Sequence, residues 1–171
     1  RNEKSCPVRR YERRYGRIKE RIFNMALRKI LTDKDEILHK VCKPVEKFDE
    51  KLAQLLDDMH ETLDKAQGVG LAAPQIGILR RYCIVDVGDG IIELVNPVIE
   101  NQSGSQSGEE GCLSIPGRYE EVERPMKVTV RAQDRNGKNF KIKAEGFKAR
   151  ALCHEIDHLD GILYIDKIKK E

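Results

Sequence analysis

The 171-residue sequence has no uninterrupted apolar run near the roughly 18 residues a membrane span needs, which excludes a bilayer-crossing helix. It has no CxxC pair. Its five cysteines, Cys6, Cys42, Cys83, Cys112 and Cys153, are odd in number and widely scattered, unlike the even, closely spaced set of a disulfide framework. That usage points to a reducing, cytoplasmic setting. The first residues lack an apolar core with a small-residue cleavage site, so a secretory leader has no support. No GK[ST] follows the glycine-rich segment near residue 70, which excludes a phosphate loop of that type. Internal repeats and linkers are absent.

What is present suits one compact domain: hydrophobic residues make up 39%, and 13 glycines bring the apolar share close to the globular norm. The net charge of +3 is uneven. Residues 1–24 hold nine Lys/Arg against three acids, a net of +6, so the remainder carries −3. A mildly acidic body leaves no electrostatic footprint for specific nucleic-acid binding. The basic segment has two readings. Val8, Tyr11, Tyr15, Ile18, Ile22 and Met25 fall at helical spacing, as in a basic amphipathic helix. Alternatively residues 1–24 are an over-extended start, with Met25 as the natural first residue; this reading is preferred, and it sets 25–171 apart as a single domain.

Along that body, Asp33–His39 predicts a brief helix. Residues 50–67 predict the clearest one, with Leu52, Leu55, Leu56, Met59, Leu63 and Ala66 on one face and Asp49 as N-cap. Strand-like runs cover 81–87, 91–99 and 126–133, and Asn136-Gly137 predicts a tight hairpin into 139–145. The polar stretch 101–108 reads as a loop, 147–159 as a helix, and Ile162–Ile165 as a returning strand. Hairpins rather than regular βαβ units suggest an α+β fold.

Chemistry concentrates in three places. His154-Glu-Ile-Asp-His158 is an HExxH sequence within the helix predicted over 147–159. Four residues make just over one turn, so both imidazoles leave one face and can grip one metal, with Glu155 beside it to take a proton from water. An exposed charged helix could match these letters by chance, but Leu152, Ile156, Leu159 and Ile162 favour burial. A hydrolytic metal wants a third ligand, and Tyr164 stands where the extended pattern HExxHxxGxxH would place a histidine. The third ligand should therefore come from upstream, and Cys112 within Glu109–Ser114 can supply it, although a lone cysteine is commonly a small buried hydrophobe. Glu110 could hold a ligand imidazole from behind. His39 and His60 are rivals that read as solvated surface residues. In Gly68–Gln75, two glycines allow close backbone approach and Gln75 can donate an N–H to a developing oxyanion; the bland alternative is a glycine-rich turn.

Together, Gly68-Val-Gly-Leu-Ala-Ala-Pro-Gln75, Glu110-Gly-Cys-Leu-Ser114 and His154-Glu-Ile-Asp-His158 resemble the GxGLAAxQ, EGCLS and HExDH signatures of bacterial peptide deformylases, over about Met25 to Asp166. The resemblance implies antiparallel sheets packed around a central helix carrying HExxH. It implies metal ligands Cys112, His154 and His158, with Fe²⁺ as the native ion and Zn²⁺, Ni²⁺ or Co²⁺ as substitutes. Glu155 becomes general base and acid, and the Gln75 side chain with the Leu113 N–H the oxyanion donors. The implied reaction hydrolyses the N-formyl group of formyl-methionyl nascent peptides at the ribosome, in the cytoplasm, as hydroxide attacks the formyl carbon. Val69, Phe147 and His154 would wall the methionine pocket, and Gly70 would pair with the extended peptide.

The sequence also departs from the family pattern. Cys153 replaces a common glutamine and is expected to pack. Arg150 stands where relatives line the pocket with apolar side chains. The long C-terminal helix with which some relatives engage the ribosome is not expected here. A zinc endopeptidase and an inactive ribosome-associated binding module are the competing functions.

Overall fold

The structure, a computed structural model, describes residues 26–168; the expectations for residues 1–24 and for Met25 lie outside them. Helix α1 (Glu50–Ala66) starts where the Asp49 carboxylate accepts the Leu52 N–H at 3.0 Å. It ends at Gln67, which takes a left-handed conformation with φ 53°. Five antiparallel strands follow in the spatial order β1 (Gly70–Ala72), β2 (Tyr82–Val85), β3 (Ile92–Ser103), β6 (Lys127–Gln133) and β7 (Asn139–Glu145). Strands β4 (Gln106–Cys112) and β5 (Ile115–Arg124) form a separate antiparallel hairpin, and α2 spans Gly146–Leu159.

Every residue of β2 is buried because helices cover both faces of the sheet there. Cys83 and Val85 join Leu94, Val128 and Val130 against Leu152 and Ile156 of α2. Tyr82 and Ile84 face the other way, with Val95, against Leu56, Met59 and Leu63 of α1. Strand alternation thus sorts neighbouring residues into two cores, and a slip of one residue would exchange them. Farther along the sheet only one face is covered: β6 buries Val128, Val130 and Ala132 and exposes Lys127 and Arg131. A third cluster of Leu38, Ile115, Val122, Leu163 and Tyr164 docks the β4–β5 hairpin.

Two sequence expectations are corrected. Residues 101–108 are not a loop: β3 runs to Ser103 and β4 begins at Gln106, with Gly104 at φ 67° turning between them. These ends are largely exposed, so the apolar alternation that marks a strand is missing. Ile162–Ile165 is not a strand. Leu163 and Tyr164 are buried in succession, and the Asp166 carboxylate accepts the Leu163 N–H at 2.8 Å, closing a 3₁₀ turn over Tyr164–Lys167. Among the described residues, no helix is long and apolar enough to cross a membrane.

Candidate active site

Helix α2 presents the two histidines one turn apart, with ring centroids 4.9 Å from each other and planes at 75°. Cys112 arrives from the tip of the hairpin, beside an irregular register between Glu110 and Cys112 of the kind that re-aims a side chain. Its Sγ lies 3.3 Å from His158 Nε2. One donor atom from each of Cys112, His154 and His158 falls within 4.8 Å of the others.

Behind this cluster sits a buried carboxylate. Glu110 Oε2 lies 3.0 Å from His154 Nδ1, which leaves Nε2 as the ring nitrogen turned away from that carboxylate. Arg124 donates to both Glu110 oxygens, Nε to Oε1 at 2.7 Å and Nη2 to Oε2 at 2.9 Å. Its remaining nitrogen Nη1 donates to Asp157, so the acid inside HEIDH anchors the arginine that anchors Glu110. Burial pushes the Glu110 carboxyl up, but the Arg124 and His154 hydrogen bonds outweigh it and hold it at about 2. Burial likewise pushes the His154 imidazole down, yet hydrogen bonds to Cys112 and Glu110 carry it to about 10. Burial keeps His158 well below its ordinary value. Tyr164 completes the surround: its ring stacks on His154 with centroids 6.0 Å apart, and its hydroxyl donates to the Arg118 carbonyl at 2.8 Å.

Glu155 points to the other side of the centre, against β1. A Cβ on Gly70 would sit 2.3 Å from Glu155 Oε1, so the missing side chain is what lets the carboxylate lie on the strand. Burial lifts the Glu155 carboxyl to about 7. Gln75 comes from the 3₁₀ turn Ala73–Ile76 that follows β1. Its Oε1 accepts the Ala72 N–H at 2.8 Å, which turns Nε2 toward Ser114 Oγ at 3.1 Å and Cys112 Sγ at 3.5 Å.

A cleft of about 460 Å³ opens in front of these groups. Val69, Gly70, Leu113, Phe147, His154 and Glu155 all line it, whereas His158 does not and lies behind. The predicted site residues therefore converge on one place. His39 and His60 stay apart from it. His39 is exposed as expected; His60 is not solvated but half-buried, with Nε2 2.8 Å from Glu93. Cys153 packs in the sheet–α2 core. Arg150 is not a bare pocket wall, because its guanidinium donates to Glu110 and to hairpin carbonyls. Sequence reasoning gave no role to Arg124, Asp157, Ser114 or Tyr164. Only Asp157 and Ser114 lay inside motifs that could have flagged them.

The chemistry of the donors fits a divalent ion. One thiol and two imidazoles are the ligand types of zinc and of softer transition metals, and three protein ligands leave a position open. Glu155 Oε2, buried and without a hydrogen-bond partner, suits a carboxylate whose partner is water or substrate.

Residues 27–171 match the family model described as polypeptide deformylase. The chain is 62% identical over 144 residues to a peptide deformylase of Caldicellulosiruptor bescii, covering 84% of this chain and 87% of the relative. A peptide deformylase of Alkaliphilus metalliredigens is 56% identical over 147 residues, 86% of this chain and 100% of the relative. Among solved structures, a peptide deformylase from Legionella pneumophila superposes with a TM-score of 0.82 at 50% identity, covering 84% of this chain and 87% of that one.

Proposed function

This chain belongs to the polypeptide deformylase family, an enzyme family that removes the formyl group from N-formylmethionyl peptides, and on that premise we propose which residues perform the reaction here. Cys112, His154 and His158 hold one divalent metal, Fe²⁺ ahead of Zn²⁺, Ni²⁺ or Co²⁺; their mutual approach within 4.8 Å supports the assignment. Bound there, the ion would supply Lewis acidity that lowers the pKa of water toward ~7.

The protein's own groups do the rest. Glu155 accepts a proton at its unpartnered Oε2 from the attacking water, whose oxygen bonds to the formyl carbon, and returns it to the leaving amide nitrogen, as a carboxyl near neutrality can. The bond between formyl carbon and nitrogen breaks, leaving formate and a free amino terminus. Gln75, held through Oε1 by the Ala72 N–H, offers Nε2 to the developing oxyanion, with the Leu113 N–H as second donor. Glu110 keeps the His154 ring oriented. Val69 and Phe147, apolar yet 37% and 58% exposed at the cleft, wall the methionine side chain together with His154. Strand β1 is the outermost strand of its sheet, so Gly70 can pair with an extended peptide. Helix α2 is the central element around which the sheet and hairpin pack.

The enzyme would work in the cytoplasm on nascent chains at the ribosome. Residues 25–171 are the catalytic domain, a reading supported by the family model's match to residues 27–171. The zinc endopeptidase and the inactive binding module gain no support from relatives named for deformylation.

The observation that carries the assignment is the convergence of Cys112, His154 and His158 beside Glu155. Formate release from formyl-Met-Ala tests it, with elemental analysis of the wild type and Cys112→Ala. Formate release by a stoichiometrically metallated wild type and metal loss in the variant are expected. Cleavage of internal peptide bonds without formate release would overturn the function. Stoichiometric metal in Cys112→Ala would remove Cys112 from the ligand set.

A further inference from the structure

Arg150 leaves α2 four residues before His154 and buries its guanidinium inside the hairpin, with the residue only 6% exposed. Nη1 donates to Glu110 Oε1 at 2.8 Å, to the Val122 carbonyl at 2.9 Å and to the Gly108 carbonyl at 3.2 Å. Nη2 adds the Gln106 carbonyl at 3.4 Å. One head group thus touches both hairpin strands and the carboxylate that orients His154. The packing is close, since a Cβ on Gly108 would lie 3.3 Å from Nη2.

The ligands come from two separate elements, Cys112 from the hairpin and the histidines from α2. Something must fix the distance between those elements. The apolar cluster that docks the hairpin draws on Leu38, Leu163 and Tyr164, none of them on α2. Among the described residues, the direct polar ties from α2 side chains to the hairpin are Arg150, His154 through Glu110, His158 beside Cys112, and Asp157 through Arg124. Two of those four ties are made by the ligands themselves. Arg124 is a hairpin residue that fixes Glu110 within its own element and reaches α2 only at the partly exposed Asp157. Among the described residues, Arg150 is the α2 side chain that reaches the hairpin backbone, while Gln106 Nε2 returns a bond to the Gly146 carbonyl at the first residue of the helix at 2.7 Å.

We propose that Arg150 is a positioning residue for the metal centre: it sets the separation of hairpin and helix, and through Glu110 the orientation of His154. This rests on the metal-centre assignment above. A planar guanidinium is required, because its fixed fork meets acceptors on both strands at once, whereas an ammonium offers a single point of charge.

The test is the rate at which the metallated full-length enzyme loses its ion to a chelator, in the wild type, Arg150→Met and Arg150→Lys, alongside melting temperatures with and without metal. Groups behind a ligand change metal affinity by about 10–100-fold, so Arg150→Met should lose metal roughly 10-fold faster. Arg150→Lys should fall between it and the wild type, a partial rescue that a purely steric role would not produce. A lower melting temperature with an unchanged loss rate would assign Arg150 to packing alone and overturn the inference. If Arg150→Met does not fold, Arg150→Lys decides: a wild-type loss rate in that variant overturns the inference as well. A wild type without metal would overturn the centre and the inference with it, whereas equal loss rates overturn the inference alone.

Discussion

Gly70 and Glu155 occupy each other's space: a Cβ on the glycine would stand 2.3 Å from Oε1, 2.6 Å from Cδ and 2.7 Å from Cγ of the glutamate. The strand that would carry substrate and the group that would carry the proton are therefore fitted to one another without an intervening side chain.

Gly70→Ala follows from that contact. The glycine is not in the left-handed region, so its backbone tolerates the change and the collision falls on Glu155. A displacement near 1 Å at a reacting group costs on the order of 100-fold. Turnover should fall by about that factor while elemental analysis finds metal retained. Wild-type kcat in Gly70→Ala would show that the position of Glu155 is immaterial.

Glu155→Ala removes the proton carrier and leaves all three ligands. Loss of a general base costs on the order of 10²–10⁴-fold in rate. The expected variant keeps its metal and has kcat reduced within that range, measured by formate release. Near-normal deformylation would sink the role given to Glu155.

Acid sensitivity should trace in part to Glu93, far from the chemistry. Burial pushes its carboxyl up, but hydrogen bonds from Arg135 and His60 prevail and hold it at about 2, below its ordinary 4.5. A depressed carboxyl stabilises the fold fully above its unfolded value and loses that contribution as pH falls toward the folded one. Glu93→Gln should therefore cost up to about 3 kcal/mol at pH 7 by urea unfolding. The gap to wild type should shrink between about pH 4.5 and 2. A gap of the same size at pH 7 and pH 3 would contradict this.

Local signals in the sequence led directly to part of this molecule. The α1 stripe from Leu52 to Leu63 with its Asp49 cap, the HExxH pair on one helical face and the Asn136-Gly137 turn all act over a few residues. The β4–β5 hairpin did not announce itself. Its strands pair glutamates across the ladder, Glu109 with Glu121 and Glu110 with Glu120, so no apolar alternation marks them. Arg124 was hidden and Arg150 stood out only as a departure at the pocket wall, because a lone arginine does not reveal the carboxylate it serves until the fold brings it there. The inward turn of Arg150 depends on a hairpin more than twenty residues away, which no periodicity in its own helix encodes.

The crowding at Glu110 bears on how such a protein can change. Two arginines and a histidine donate to one carboxylate, so hairpin docking and ring orientation share a single joint. Exchanging any one partner strands charges on the others, and the effects of paired replacements there will not add. A lineage adapting to heat or cold could not readily adjust this joint one residue at a time. Its room for gradual adjustment lies at independent junctions such as the one where Arg135 gathers Asp57 of α1 and Glu93 of β3.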